Sequence, residues 1–153
     1  MMDIIHRYID QLVALEEDHV FCDEPLAGKY KILVIGTFNP NDDSCLKPNT
    51  ASWFYGRKQS NFWNYFPSAF VSRSLHHKDV PNLSPHIWKT FCKTNKIVII
   101  DLIKRIKDVS PLEDFGDKDV ESKISLAKHN TEYFDIAKAF KEIKFDKIIY
   151  SLA

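Results

Sequence analysis

Lys31–Phe66 reads KILVIGTFNPNDDSCLKPNTASWFYGRKQSNFWNYF, and the rest of the chain is organised around it. It opens on Ile32-Leu33-Val34-Ile35, a short apolar run that suits a strand buried on both faces. Gly36 breaks the run, and a glycine at a strand end lets the backbone turn or lets a ligand approach it closely. A polar loop with Asn39, Pro40, Asn41, Asp42 and Asp43 follows. Then comes an aromatic and cationic cluster: Trp53, Phe54, Tyr55, Arg57, Lys58, Asn61, Phe62 and Trp63. In open α/β sheets ligands sit outside the carboxyl ends of the strands. The expected site is therefore Gly36, Thr37, Phe38, Asn39 and Pro40, walled by Phe54 and Tyr55.

Outward from this stretch the pattern alternates strand and helix. Ile5, Tyr8, Ile9, Leu12 and Val13 recur at helical spacing, so residues 2–16 read as an amphipathic helix and 17–30 as a linker. Asn61 opens a helical segment that Pro67 limits. His76-His77 lies in a polar loop, and adjacent histidines point apart, which suits no shared metal. Ser84-Pro85 starts a helix as N-cap and first turn, with Ile87, Trp88, Phe91 and Cys92 on its apolar face. Lys96–Ile103 is a second buried strand that puts Asp101 near its carboxyl end, on the site face; a capping or lysine-paired Asp is the plainer reading. A long loop is expected over Lys104–Asp119 and one or two helices over Val120–Ile143, with Asn130 as an N-cap. Phe145–Leu152 reads as a third buried strand. The sum is one α/β domain over 1–153, a three-layer α/β/α arrangement with a central parallel sheet.

Composition narrows the class. With 44% hydrophobic residues the chain can bury a core, and 4 Gly in 153 residues argues against low-complexity material. The opening MMDIIHRYIDQLVALEEDHV carries acids throughout and has no apolar signal core, so an intracellular, cytoplasmic protein is expected. Cys22, Cys45 and Cys92 are odd in number and lack a C-x-x-C, which suits free thiols. Net charge is zero but unevenly spread: residues 1–56 carry −5, 57–108 carry +7 and 109–153 carry −2. The central basic block could follow phosphates, or be a solvated face with mixed signs. No Gly-Lys-Ser/Thr phosphate loop, G-x-G-x-x-G or G-x-S-x-G is present, and no His/Cys/Glu set has zinc spacing.

The ordered pair G-T-F-N-P (Gly36–Pro40) and W-F-Y-G-R-K-Q-S-N-F-W (Trp53–Trp63) resembles the uracil-DNA glycosylase superfamily, nearest to its mismatch-specific, thymine and hypoxanthine branches. Those branches end the second segment in Asn-Arg-Phe-Trp, whereas this chain has Asn61-Phe62-Trp63 without the Arg. The resemblance covers roughly Lys31–Ala153. It implies a chain that stops before the family's last strand and second motif, so a C-terminally incomplete domain is expected. It implies a monofunctional, monomeric DNA repair glycosylase that hydrolyses the N-glycosidic bond of a flipped uracil- or hypoxanthine-type base, with no metal or organic cofactor and no membrane. The partner would be DNA with a damaged or mismatched base. Anchored on Pro40, the family's Asp or Asn falls on Asn39, which would position water. Anchored on Gly36 it falls on Phe38, and Asp42 or Asp43 would serve instead. Phe54, ahead of Tyr55, is the expected stacking aromatic, Asn61 and Asp101 are further substrate contacts, and Arg57 and Lys58 would meet phosphates. Rival readings are a non-catalytic nucleotide- or nucleic-acid-binding module on the same fold and an α/β protein-interaction domain.

Overall fold

The computed structural model describes residues 2–41, 51–109 and 130–151. In chain order its elements are β1 (Met2–Ile5), α1 (Ile9–Glu17), β2 (Val20–Phe21), β3 (Glu24–Pro25), β4 (Ile32–Gly36), α2 (Phe62–Tyr65) and α3 (Ser68–Val71). They continue with α4 (Pro85–Thr94), β5 (Ile97–Asp101), β6 (Ile103–Val109), β7 (Asn130–Tyr133), α5 (Ile136–Ala139) and β8 (Lys147–Tyr150).

The fold is mixed α/β. The three apolar runs form a parallel sheet of order β5-β4-β8, with Gly36 level with Asp101 at the strand ends. All five residues of β5 are buried. Burying one Ile side chain contributes about 1.5–3 kcal/mol, so this strand anchors the core. β8 departs from the expectation of a buried strand: it lies at the sheet edge, and Ile148 and Tyr150 are exposed.

A second sheet, antiparallel and of order β1-β6-β7, was not expected from the sequence. Three readings are corrected by it. Residues 2–5 are a strand, and the helix begins at Ile9. Residues 104–109, read as the start of a long loop, belong to a strand, Ile103–Val109. Asn130, read as a helix cap, begins β7. Residues 110–119 of the expected loop and 120–129 of the expected helical stretch fall outside the described residues. The linker 17–30 holds a small β2-β3 hairpin, with Cys22 and Asp23 at positive φ in its turn. Pro67 does end α2's stretch and sits as the N-cap of α3. Ser84 occupies the N-cap of α4, although its side chain makes no capping bond.

β5 leaves the parallel sheet at Asp101 and β6 enters the antiparallel one at Ile103, so only Leu102 separates the sheets. The Leu102 N–H donates to the Gly36 carbonyl and the Ile103 N–H to that of Thr37, 3.0 Å each. A small apolar cluster of Ile4, Phe38, Ile103 and Ile106 fills the junction. The main core holds three stacked indoles, with Trp53–Trp63 centroids at 6.0 Å and Trp63–Trp88 at 5.1 Å. Each indole N–H is used: Trp53 donates to Gln11 Oε1, Trp63 to the Phe54 carbonyl and Trp88 to the Leu75 carbonyl.

Candidate active site

Residues 36–40 run between the two sheets, pinned from both sides. The Arg7 N–H donates to the Asn39 carbonyl at 2.7 Å and the Asn41 N–H to the Ile5 carbonyl at 2.9 Å, while Pro40 bridges His6. Gly36, Phe38, Asn39 and Pro40 are buried and Thr37 is half-buried. Phe38 packs in the junction cluster, which gives it a core role.

Above Gly36 two polar groups converge. A Cβ built on this residue would overlap both Asp101 Oδ1 and the Tyr55 hydroxyl, and would stand 3.1 Å from Tyr55 Cζ. Only a residue without a Cβ lets the carboxylate and the phenol come so close to the main chain. Asp101 itself is 5% exposed, at the carboxyl end of β5. Its other oxygen, Oδ2, lies 2.8 Å from His6 Nε2.

His6 is the site residue that the sequence did not reveal. It is 1% exposed, its ring flanked by Tyr8, Phe38 and Phe54 at centroid distances of 6.0, 6.0 and 5.6 Å. Its backbone N–H donates to the Lys104 carbonyl. The Tyr8 N–H donates to His6 Nδ1 at 2.9 Å. A backbone amide can only donate, so Nδ1 carries a lone pair and the ring proton sits on Nε2, facing Asp101. His6 thereby orients the carboxylate, leaving Oδ1 aimed at Gly36.

Tyr55 arrives through a strained turn. The Gly56 N–H donates to the Trp53 carbonyl at 2.8 Å, and Tyr55 holds φ at +57°. That region costs a bulky residue roughly 1–2 kcal/mol, and such strain gathers at functional sites. Gly56 is required too: a Cβ there would lie 2.6 Å from Trp88 Cζ3 and 2.8 Å from the Trp53 carbonyl oxygen. Tyr55 also stacks on Phe62, with centroids 4.2 Å apart. The two adjacent aromatics do diverge, but Phe54 is the one in the core, 1% exposed against Tyr8 and Trp53, while Tyr55 reaches Gly36.

The other expected site residues lie farther out. Asn61 is exposed at the N-cap of α2 and makes no side-chain cap bond. Arg57 is half-buried and Lys58 exposed, on the loop after Tyr55. That loop is held by both histidines of the 76–77 pair. His76 Nε2 lies 3.1 Å from the Lys58 carbonyl and His77 Nε2 3.0 Å from that of Gly56. Asp42 and Asp43 lie outside the described residues. Among the described residues no group of three His, Cys, Asp or Glu side chains is placed to hold a metal, and no helix is long and apolar enough to cross a membrane.

A second buried polar cluster stands behind the site. Lys104 Nζ meets Glu16 Oε2 at 2.8 Å and Glu132 Oε1 at 3.1 Å, and the Asp135 N–H donates to Glu16 Oε1 at 2.6 Å. Burial alone would make the ammonium easier to deprotonate. The bonds to Glu16 and Glu132 outweigh that and hold its pKa above the ordinary lysine value. Burial also pushes the Cys22 thiol up to about 12, and the Cys92 thiol and Tyr30 phenol upward as well.

Comparison with protein-family models, with curated proteins and with solved structures gives no match. The functional reading therefore rests on the site's own chemistry and on the motif resemblance.

Proposed function

We propose that this chain is a DNA glycosylase that hydrolyses the N-glycosidic bond of a flipped, deaminated base of the uracil or hypoxanthine type, on a three-layer glycosylase-like α/β fold. The observation that carries the reading is the convergence of Asp101 Oδ1 and the Tyr55 hydroxyl over Gly36, with Asp101 Oδ2 held by His6. Gly36 and Tyr55 belong to the two segments that resemble the family, and the convergence lies at the strand ends where ligands bind in α/β sheets.

The chemistry asks for few groups. The C1′–N bond breaks as positive charge develops on the sugar, water adds its oxygen to C1′, and the base departs with a proton. A carboxylate aimed at the sugar stabilises that charge and orients the water, and its benefit is large because it is already held in place. Asp101 takes this role. His6 positions it, since its only ring proton is committed to Oδ2. Tyr55 offers the flipped base a hydroxyl and an aromatic edge beside Gly36. Asn39, in the buried loop, assists in holding water, as an amide that takes no proton at neutral pH. Flipping the nucleotide costs a few kcal/mol, which these contacts offset.

The deciding assay is base release from labelled oligonucleotides, single- and double-stranded, each with one uracil, hypoxanthine, xanthine or mismatched thymine. Release that collapses in Asp101→Asn supports the reading. Release that collapses in Asn39→Ala but survives Asp101→Asn keeps the glycosylase and moves the chemistry to the amide. No release from any oligonucleotide by the folded protein rejects the enzyme in favour of a binding module.

A further inference from the structure

We infer that the loops carrying Lys58, Arg73 and Lys78 form one surface that grips the phosphates of a nucleic-acid strand beside the site. The inference takes its partner from the glycosylase reading but is tested separately from catalysis.

Two far-separated segments make this surface. His76 and His77 bond the carbonyls of Lys58 and Gly56, so the turn after Tyr55 and the loop 72–79 are fastened side by side. His76 also receives the Lys78 N–H on Nδ1 at 3.1 Å, which places its proton on Nε2, toward Lys58. The histidine pair is thus spent on joining the loops. His77 is further fixed edge-on against Trp88, at 5.4 Å. Ser72, at φ +53°, starts the second loop as the left-handed C-cap of α3.

The side chains left over are cationic. Lys58, Arg73 and Lys78 are exposed, and among the described residues none of the three has an ion-pair partner. Lys29, Lys93, Lys104, Arg105 and Lys138, by contrast, all pair with carboxylates. The sequence keeps acids away as well: from Ser44 to Ile100 the one carboxylate is Asp79. Unneutralised cations on fixed loops suit a polyanion, because each phosphate they meet releases a counterion. Tyr55, whose hydroxyl reaches Gly36, stands three residues before Lys58. Three residues span at most about 11 Å, or about three phosphates along one strand. A strand held there would present its nucleotide to the Asp101 carboxylate.

The test is fluorescence anisotropy with an undamaged labelled oligonucleotide, single-stranded and duplex, over a salt series. The variants are Lys58→Ala, Arg73→Ala, Lys78→Ala and their combination, with Lys141→Ala, exposed in the turn after α5, as the control and thermal unfolding to confirm folding. The expected result is that each substitution lowers the slope of log K against log salt by about 0.7–0.9, and the triple variant by roughly 2–3, while the control leaves it unchanged. A triple variant with the wild-type slope overturns the inference, as does wild-type protein that binds no oligonucleotide at low salt. Since the probe carries no damaged base, a chain that releases no base yet shows the expected slopes would refute the glycosylase and keep this surface. Base release with unchanged slopes would do the reverse.

Discussion

Two buried carboxylates, each tied to a base from a distant part of the chain, behave in opposite ways. Glu16 is saturated: Oε2 takes the Lys104 ammonium, Oε1 takes the Asp135 N–H, and Lys104 is shared with Glu132. Among the described residues Asp101 is held through Oδ2, by His6, and its Oδ1 is directed at the backbone of the Gly36 loop. The first cluster closes α1 against the antiparallel sheet and the region before α5. The second stands where the parallel sheet ends. A carboxylate with both oxygens matched is architecture, whereas one that is oriented by a fixed tautomer and still presents an oxygen to a glycine is the arrangement the proposed hydrolysis needs.

Breaking the saturated cluster should cost most. Lys104→Met leaves Glu16 buried with a charge and one amide, and a loss of about 3–5 kcal/mol in urea unfolding is expected. A loss under 1 kcal/mol would remove the contrast. Asp101→Asn should do the converse. The amide keeps an oxygen for His6 Nε2–H, so stability should stay within about 1 kcal/mol, while base release falls on the order of 10²–10³-fold. Equal stability losses in the two variants would show that Asp101 is also structural.

Gly36→Ala sharpens the comparison from the other side. The new methyl must displace Asp101 and Tyr55, and an overpacking cost of about 1–3 kcal/mol is expected, with base release lost. A variant of unchanged stability and activity would mean that the two side chains do not converge there.

The smallest effect is alkaline. Lys104 has its pKa raised on folding, so its contribution is complete below the ordinary lysine value and is lost as pH climbs through the folded one. The Cys22 thiol, raised from 9.0 to about 12, has the same sign and acts earlier, because the unfolded chain begins to release that proton near pH 9. Urea midpoints should therefore fall from pH 8 to 11. Cys22→Ala should flatten the first part of that fall, and Lys104→Met the part above the lysine value. A wild-type midpoint that does not move over this range would contradict both assignments.

The parallel sheet could be read from the sequence because its strands are short, continuous and β-branched: ILVI and IVII have few other places to go than a doubly covered sheet. Gly36 and Asp101 followed from strand ends alone. The antiparallel sheet could not be read. In β6 the pairing shifts between Ile103 and Arg105, so buried Ile103, Lys104 and Ile106 break the period of two that marks a strand. β7, Asn-Thr-Glu-Tyr, is polar and resembles a cap. Without β6 there is no partner for residues 2–5, whose apolar spacing merges into the helix of 9–17. His6 was lost with them, since its role depends on a strand-to-helix break and on a carboxylate far away in the chain. The order of Phe54 and Tyr55 was equally hidden, because a positive φ at Tyr55 leaves no mark in composition.

The His6–Asp101 bond spans 95 residues. At about 5–20 residues per second, roughly 5–20 s pass during synthesis between the appearance of the histidine and that of its carboxylate. Through that interval the segment that will become β1 has no β6 to pair with, and the Gly36 and Thr37 carbonyls lack the Leu102 and Ile103 N–H groups that bond them in the fold. The emerging chain therefore has no oriented carboxylate until β5 and the Lys104 carbonyl that receives the His6 N–H have been made.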